Sequence, residues 1–444
     1  MSKSLYTIMI FGVIILTAVL GIASDDTIDE SLAYQYFQEA SVLSKIDNGR
    51  LWGVELYGPM MFVDPDNRTI AANYPDKEGI LKRDGKVYRG VLPVEENIAN
   101  TATSWAGLTW TMMVWPLPED KYSRANLMMH ELWHRIQSDI GFPASNSENN
   151  HLDKKEGRIL IQLEWQALKE AINNDKKKRI DHLRNALIFR KYRRELYPDA
   201  ASMERALEMN EGLAEYTGLA LSGRDNESKI KHLIKVVDKT KDLPTFVRSF
   251  AYITGPLYGL LLDYSGIDWR AGLTKDNDLG GLLVDIYDIK ISGRIEREYE
   301  ASSMFYNAND IKKREDEREE KKRIVIEGLR NKFVTSSIVI IPLQDANLQF
   351  DPRNLQPLDD LGTVYPNIRI SDNWGILTAT NGALISSEWN RITVSALSIN
   401  SESIKTTHIE GDGWTLELKD NWKLRPSERH GDYILYLITS CISE

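Results

Sequence analysis

From about Ser123 to residue 333 the chain carries one segment of helical periodicity after another, and at Val334 that periodicity stops. This switch constrains the fold more than any other feature of the sequence. The apolar spacing predicts helices over 123–140, 151–174, 178–196, 200–221, 227–238 and 245–264. Beyond Val334, Ser337-Ile338-Val339-Ile340-Ile341 opens a tail of short β-like runs separated by Gly, Asn and Asp turns. Upstream, a helix over about 28–46 precedes a stretch, 50–117, broken by turn signals such as Asp64-Pro65-Asp66-Asn67 and Asp84-Gly85. That stretch ends in the run Leu108 to Trp115, which Pro116 and Pro118 close before the next helix. The reading is an α+β chain with an N-terminal helix and β-rich region (24–118), a mainly helical core (119–333) and a C-terminal β domain (334–444). At 444 residues and 42% hydrophobic content, the chain is long enough to bury cores for two or three domains.

Charge and composition exclude several classes of function. A net charge of -10 and a pI near 5.4 leave no overall basic footprint, so nucleic acid and acidic membrane surfaces are poor partners. The basic run Lys176-Lys177-Lys178-Arg179 reads as a solvated helix start. The mixed-charge stretch 310–323 pairs opposite signs at helical spacing, Glu317 with Lys321 and Glu319 with Arg323, and reads as an exposed helix. There is no Gly-rich phosphate loop. Residues 1–23 read as an export signal, with Lys3 ahead of the apolar run Leu5–Leu20 and the small residues of Gly21-Ile22-Ala23 at its end. The expected location is therefore extracytoplasmic, with membrane attachment only if that segment is left uncleaved. The single Cys441 has no partner for a disulfide within the chain.

The chemistry concentrates in Met129-His130-Glu131-Leu132-Trp133-His134-Arg135. A spacing of four puts His130 and His134 on one helix face, where both imidazoles can meet a Zn²⁺ ion, and Glu131 is placed to act as a base. A catalytic zinc site takes three protein ligands, so a third is required. The segment Asn210-Glu211-Gly212-Leu213-Ala214-Glu215-Tyr216 offers Glu211 and Glu215 one turn apart in small and apolar surroundings. Buried carboxylates are costly unless paired or bound to metal. With Glu211 as the ligand, Glu215 can accept the outer N–H of a ligand histidine. The rival ligand is Glu164, an acid within the apolar run Leu160 to Leu168. His151, His182, His232, His408 and His430 read as ordinary polar residues.

Together the two motifs resemble the gluzincin metallopeptidases, the group that contains thermolysin and the zinc aminopeptidases. The resemblance implies a Zn²⁺ cofactor held by His130, His134 and Glu211, with Glu215 supporting the first histidine and Glu131 as the catalytic base. It also implies a peptide or protein substrate. The match covers two helices, and 76 residues, 135 to 210, separate His134 from Glu211, which implies helices inserted between the two motifs. No Gly-x-Met-Glu-Asn segment precedes the first helix, so recognition of a free amino terminus has no support. Gluzincins commonly hold the oxyanion with a donor on a later helix, and Tyr252 and Tyr258 flank a Gly-Pro break in such a segment. By the same analogy the last strand of the β-rich region, Leu108 to Val114, would pair with an extended substrate. Two other functions fit the same residues: a non-catalytic binding protein that retains zinc, and a zinc hydrolase of a non-peptide amide or ester.

Overall fold

The computed structural model describes residues 28–351, 355–399 and 402–438; the predicted signal segment and Cys441 lie outside them. The fold mixes α and β, and the described residues divide into two compact units that part between Glu315 and Asp316.

In the first unit, helix α1 (Glu30–Asp47) precedes six strands: β1 (Met60–Val63), β2 (Thr69–Ala72), β3 (Lys82–Asp84), β4 (Val87–Val91), β5 (Thr101–Trp105) and β6 (Leu108–Val114). They form one sheet in the order β3-β4-β2-β1-β6-β5. Because successive side chains of a strand point to opposite faces, the run Met60-Met61-Phe62-Val63 supplies both faces at once. Met60, Phe62, Ala71 and Met113 pack with Phe37 of α1, whose ring stacks on Phe62 at 4.4 Å. Met61, Val63, Ile70, Ala72 and Met112 pack with Trp105 and Trp110 on the other side.

The order of strands corrects one expectation. β6 is an interior strand, parallel to β1 on one side and antiparallel to β5 on the other. The cause is the turn Ala106-Gly107, where both residues take positive φ (46° and 77°) and fold β5 back along the outer side of β6. The edge of the sheet beside β6 is therefore β5, and Asn100, Thr101 and Ala102, at and just before its start, line the cleft described below.

The helices follow: α2 (Lys121–Ile136), α3 (Lys155–Asn173), α4 (Lys176–Leu196), α5 (Ala200–Leu207), α6 (Leu213–Leu221), α7 (Asn226–Lys239) and α8 (Ala251–Asp263), then α9 (Leu279–Tyr287), α10 (Ile295–Ser303) and α11 (Ala308–Arg330). Aspartates start several of them: Asp120, Asp175 and Asp225 accept the first-turn N–H groups of α2, α4 and α7. The predicted continuous helix over 200–221 is interrupted by one π turn, Glu208–Gly212, between α5 and α6. Gly212 in that turn and Gly255 in α8 approach so closely that a Cβ on Gly255 would lie 2.3 Å from the Gly212 backbone. This contact brings α8 onto the π turn.

Behind the π turn lies a buried ionic cluster. Arg190 donates to Glu208 and Asp278, and its Nη1 lies 3.3 Å from Glu164. Arg193 donates to Glu164 at 2.7 Å and to both oxygens of Glu204, which also receives Arg194 and His151. Burial alone would raise the Glu204 carboxyl, but the Arg193 charge and the other donors hold it well below its ordinary value of 4.5. Glu204→Gln takes one acid from Arg193 and Arg194, which keep Glu164 and Asp278, and the buried cations it leaves under-compensated are expected to cost about 3–5 kcal/mol of stability, measured by denaturant unfolding. Because the folded-state pKa is depressed, the stabilisation is present above about pH 4.5 and is lost as pH falls below it. The variant should therefore show a flatter acid side in its stability profile than the native chain.

The second unit is built from a seven-stranded and a five-stranded sheet. Alternate residues of strands from both, including Val339, Ile341, Ile392 and Val394 from the first and Ile370, Leu377 and Leu416 from the second, share one core. The division between units falls inside α11, upstream of the change at Val334. Ile311 and Glu315 pack into the first unit, whereas Ile326 and Leu329 pack with Phe333, Leu358 and Val364 of the second. On the exposed part of α11, Arg323 pairs with Glu320 and Glu327 rather than with Glu319. No helix among the described residues is long and apolar enough to cross a membrane.

Candidate metal centre

Helix α2 forms where the proline-free apolar pattern places it, capped by Asp120, and presents His130, His134 and Gln137 along one side. The π turn and α6 supply Glu211 and Glu215 opposite them. The Nε2 atoms of His130 and His134 are 3.1 Å apart and lie 3.7 and 3.4 Å from Glu211 Oε2. Donors held at about 2.0–2.1 Å around a tetrahedral ion stand about 3.3–3.4 Å from one another, so the three atoms already have the spacing of such a set. Among the described residues this is the group of histidine, cysteine and acidic side chains with metal-binding spacing.

The outer nitrogens explain why the inner ones converge. His130 Nδ1 lies 2.9 Å from Glu215 Oε2, and Glu215 Oε1 accepts from Asn126 Nδ2. A carboxylate can only accept, so His130 carries its proton on Nδ1. His134 Nδ1 lies 2.6 Å from Gln137 Oε1, while Gln137 Nε2 donates to Asn210 Oδ1 at 3.0 Å. The Gln137 oxygen is therefore an acceptor, and His134 also carries its proton on Nδ1. With each Nδ1 so engaged, the two Nε2 atoms are the nitrogens turned toward Glu211 and toward one another.

Burial disfavours a charged imidazole at His130, but the Glu211 and Glu215 carboxylates outweigh it and raise its proton affinity. Glu211 is desolvated too, yet its contacts with the two histidines hold it far below the usual carboxylate range. Its other partners are Tyr252, whose hydroxyl donates to Oε2 at 2.6 Å, and Arg248 and Asn210, each 3.4 Å from Oε1. The Tyr252 ring also lies parallel to His130 at 5.6 Å. Glu131 stands apart from these ties. It is buried, its Oε2 has no hydrogen-bond partner among the described residues, and desolvation raises its pKa. All of these groups except Arg248 line a cleft of about 440 Å³ that Asn100, Thr101 and Ala102 border.

The five residues singled out in the sequence, His130, Glu131, His134, Glu211 and Glu215, thus meet in one place. Glu164 does not join them: its oxygens are taken by Arg190, Arg193 and the Tyr258 hydroxyl in the buried ionic cluster. Tyr258 leaves with it, and of the two tyrosines only Tyr252 reaches the cleft. His151 belongs to the same cluster through Glu204. The sequence reading did not find Gln137 or Arg248. Gln137 lies three residues beyond His134, one turn along the same helix face, and that spacing was the available signal. Gln137→Leu is expected to weaken zinc affinity about 10–100-fold, because the His134 ring loses its orienting acceptor. Competition with a chelator measures it, and unchanged affinity would show that the tie is not used.

No family model, curated protein or solved structure matches the chain.

Proposed function

We propose that this protein is a zinc-dependent peptidase acting outside the cytoplasm, with a gluzincin-like arrangement of His130, His134 and Glu211 as ligands and Glu131 as general base. The observation that carries the reading is the convergence of two histidine Nε2 atoms and one carboxylate oxygen at 3.1–3.7 Å beside a buried glutamate whose Oε2 has no hydrogen-bond partner among the described residues. Zinc held there would polarise a carbonyl and lower the pKa of a water from 15.7 toward about 7. Glu131, its pKa already raised by burial, takes a proton from the attacking water and returns it to the leaving amine. Glu215 and Gln137 keep the two imidazoles in register, and Tyr252 holds the Glu211 carboxylate. The free edge of β5 gives an extended peptide main-chain partners along the cleft.

A purely structural zinc site has four protein ligands and no base. Here the three donors face a cleft and Glu131 stands ready beside them, which favours catalysis over a binding protein. The deciding experiment measures zinc stoichiometry together with hydrolysis of an unstructured protein. Zinc at one per chain with chelator-sensitive cleavage is expected; zinc-loaded protein that cleaves neither peptides nor unstructured proteins would refute the reading.

A further inference from the structure

A second recess, of about 400 Å³, lies behind the metal cleft and shares two walls with it, Tyr252 and Glu215. Its lining is mainly apolar: Leu219, Leu233, Val236, Leu243, Ile253 and Pro256. A recess of this size and character suits one large aliphatic or aromatic group. Its charged groups are unexpected for a chain of net charge -10. Glu215 accepts from His130 and Asn126, each on one oxygen, and His232 also lines the recess; Lys239 and Arg248 are its two full cations. Lys239, at the end of α7, is exposed and makes no hydrogen bond or ion pair among the described residues. Arg248 donates to Asn146 and lies 3.4 Å from Glu211 Oε1, which leaves three of its five N–H donors without a partner among the described residues. The recess therefore combines an apolar body with a cationic seam, complementary to an apolar residue bearing a carboxylate.

Position narrows the class further. Consecutive Cα atoms of a peptide are about 3.8 Å apart. Arg248 is within one hydrogen-bond length of a ligand carboxylate, so an acid group held by it lies about one residue from the bond presented to the metal. We infer that the recess binds the side chain of the residue following the scissile bond, with that residue's free α-carboxylate on Arg248 and Lys239. The enzyme then removes single apolar residues from free C termini. This rests on the peptidase reading above. Hydrolysis breaks the amide C–N bond; water supplies hydroxide to the acyl carbon and a proton to the amine, giving a shortened peptide acid and a free amino acid.

The test compares benzoyl-glycyl-phenylalanine with its C-terminal amide on the zinc-loaded protein. The free acid is expected to be hydrolysed with a kcat/KM higher by about tenfold or more, the usual worth of one hydrogen-bonded charge. Lys239→Glu should erase most of that preference through KM, with zinc content unaltered. Val236→Trp, which fills the recess, should slow cleavage of apolar C termini. Should Val236→Trp fail to fold, Lys239→Glu at its exposed position still decides the matter. Binding of 3-phenylpropionate and 3-phenylpropanamide to metal-free protein, followed by NMR, gives a readout independent of turnover. Acid-selective binding that Lys239→Glu weakens and Val236→Trp abolishes is expected. Equal rates on acid and amide, or binding that ignores the carboxylate, would overturn the inference while leaving the peptidase reading intact. If zinc-loaded protein hydrolyses neither these peptides nor an unstructured protein, the peptidase reading fails. Acid-selective binding then retains the recess as a site for apolar carboxylates, and its absence removes that as well.

Discussion

Glu131→Gln is expected to keep the fold and one zinc per chain while losing turnover by about 10²–10⁴-fold. The amide matches the carboxylate in shape but cannot accept a proton, so only the transfer is removed. The surroundings make this a clean substitution. Glu131 Oε2 has no hydrogen-bond partner among the described residues, so no existing bond is broken, and a buried carboxylate with a raised pKa is exchanged for a neutral group. Stability should hold or rise slightly. Zinc analysis and steady-state kinetics on the same preparation check both halves, and activity within about tenfold of the native chain would remove Glu131 from the mechanism.

Glu211→Ala is expected to empty the site, whereas Glu215→Ala should weaken zinc binding or activity by about 10–100-fold without emptying it. Glu211 Oε2 is the atom that approaches both histidine Nε2 atoms, and its loss leaves two protein ligands. Glu215 touches only the far side of His130. Glu164→Ala gives the control that separates metal loss from unfolding. It takes one of the two acids from Arg193, leaving Glu204, and removes the acceptor of Tyr258, so its cost falls on stability, about 3–5 kcal/mol, with zinc retained by whatever remains folded. Zinc stoichiometry on folded material distinguishes the three. A metal-free Glu164→Ala beside a loaded Glu211→Ala would overturn the assignment of ligands.

What the sequence revealed was local. Two histidines four apart and two glutamates four apart are visible because a helix places such residues on one face, whatever the rest of the chain does. The same holds for the short β-like runs of the C-terminal region, such as Trp414–Leu418, where Trp414, Leu416 and Leu418 are buried. What it hid was long-range. Thr101-Ala102-Thr103-Ser104-Trp105 has little apolar alternation, and only its pairing with β6 makes it a strand and displaces β6 from the edge. Glu164 looked like a candidate ligand because an acid in an apolar helix needs a partner. The partners turned out to be Arg190 and Arg193, on the next helix and 26 and 29 residues away. The π turn was equally hidden, since its five residues read as ordinary helix.

The buried ionic cluster also constrains how such a chain can diverge. Glu164, Arg190, Arg193, Glu204 and Glu208 share their hydrogen bonds across three helices and the π turn, so exchanging any one of them alone leaves the buried charges of the group out of balance. Drift at these positions is therefore confined to concerted exchanges, in which an acid and its arginine leave together or an apolar set replaces the whole group. The helices between His134 and Glu211 cannot then be pared away residue by residue, although none of them supplies a ligand. Lineages that keep the cluster should keep all five positions together, and those that lose it should lose it in a block.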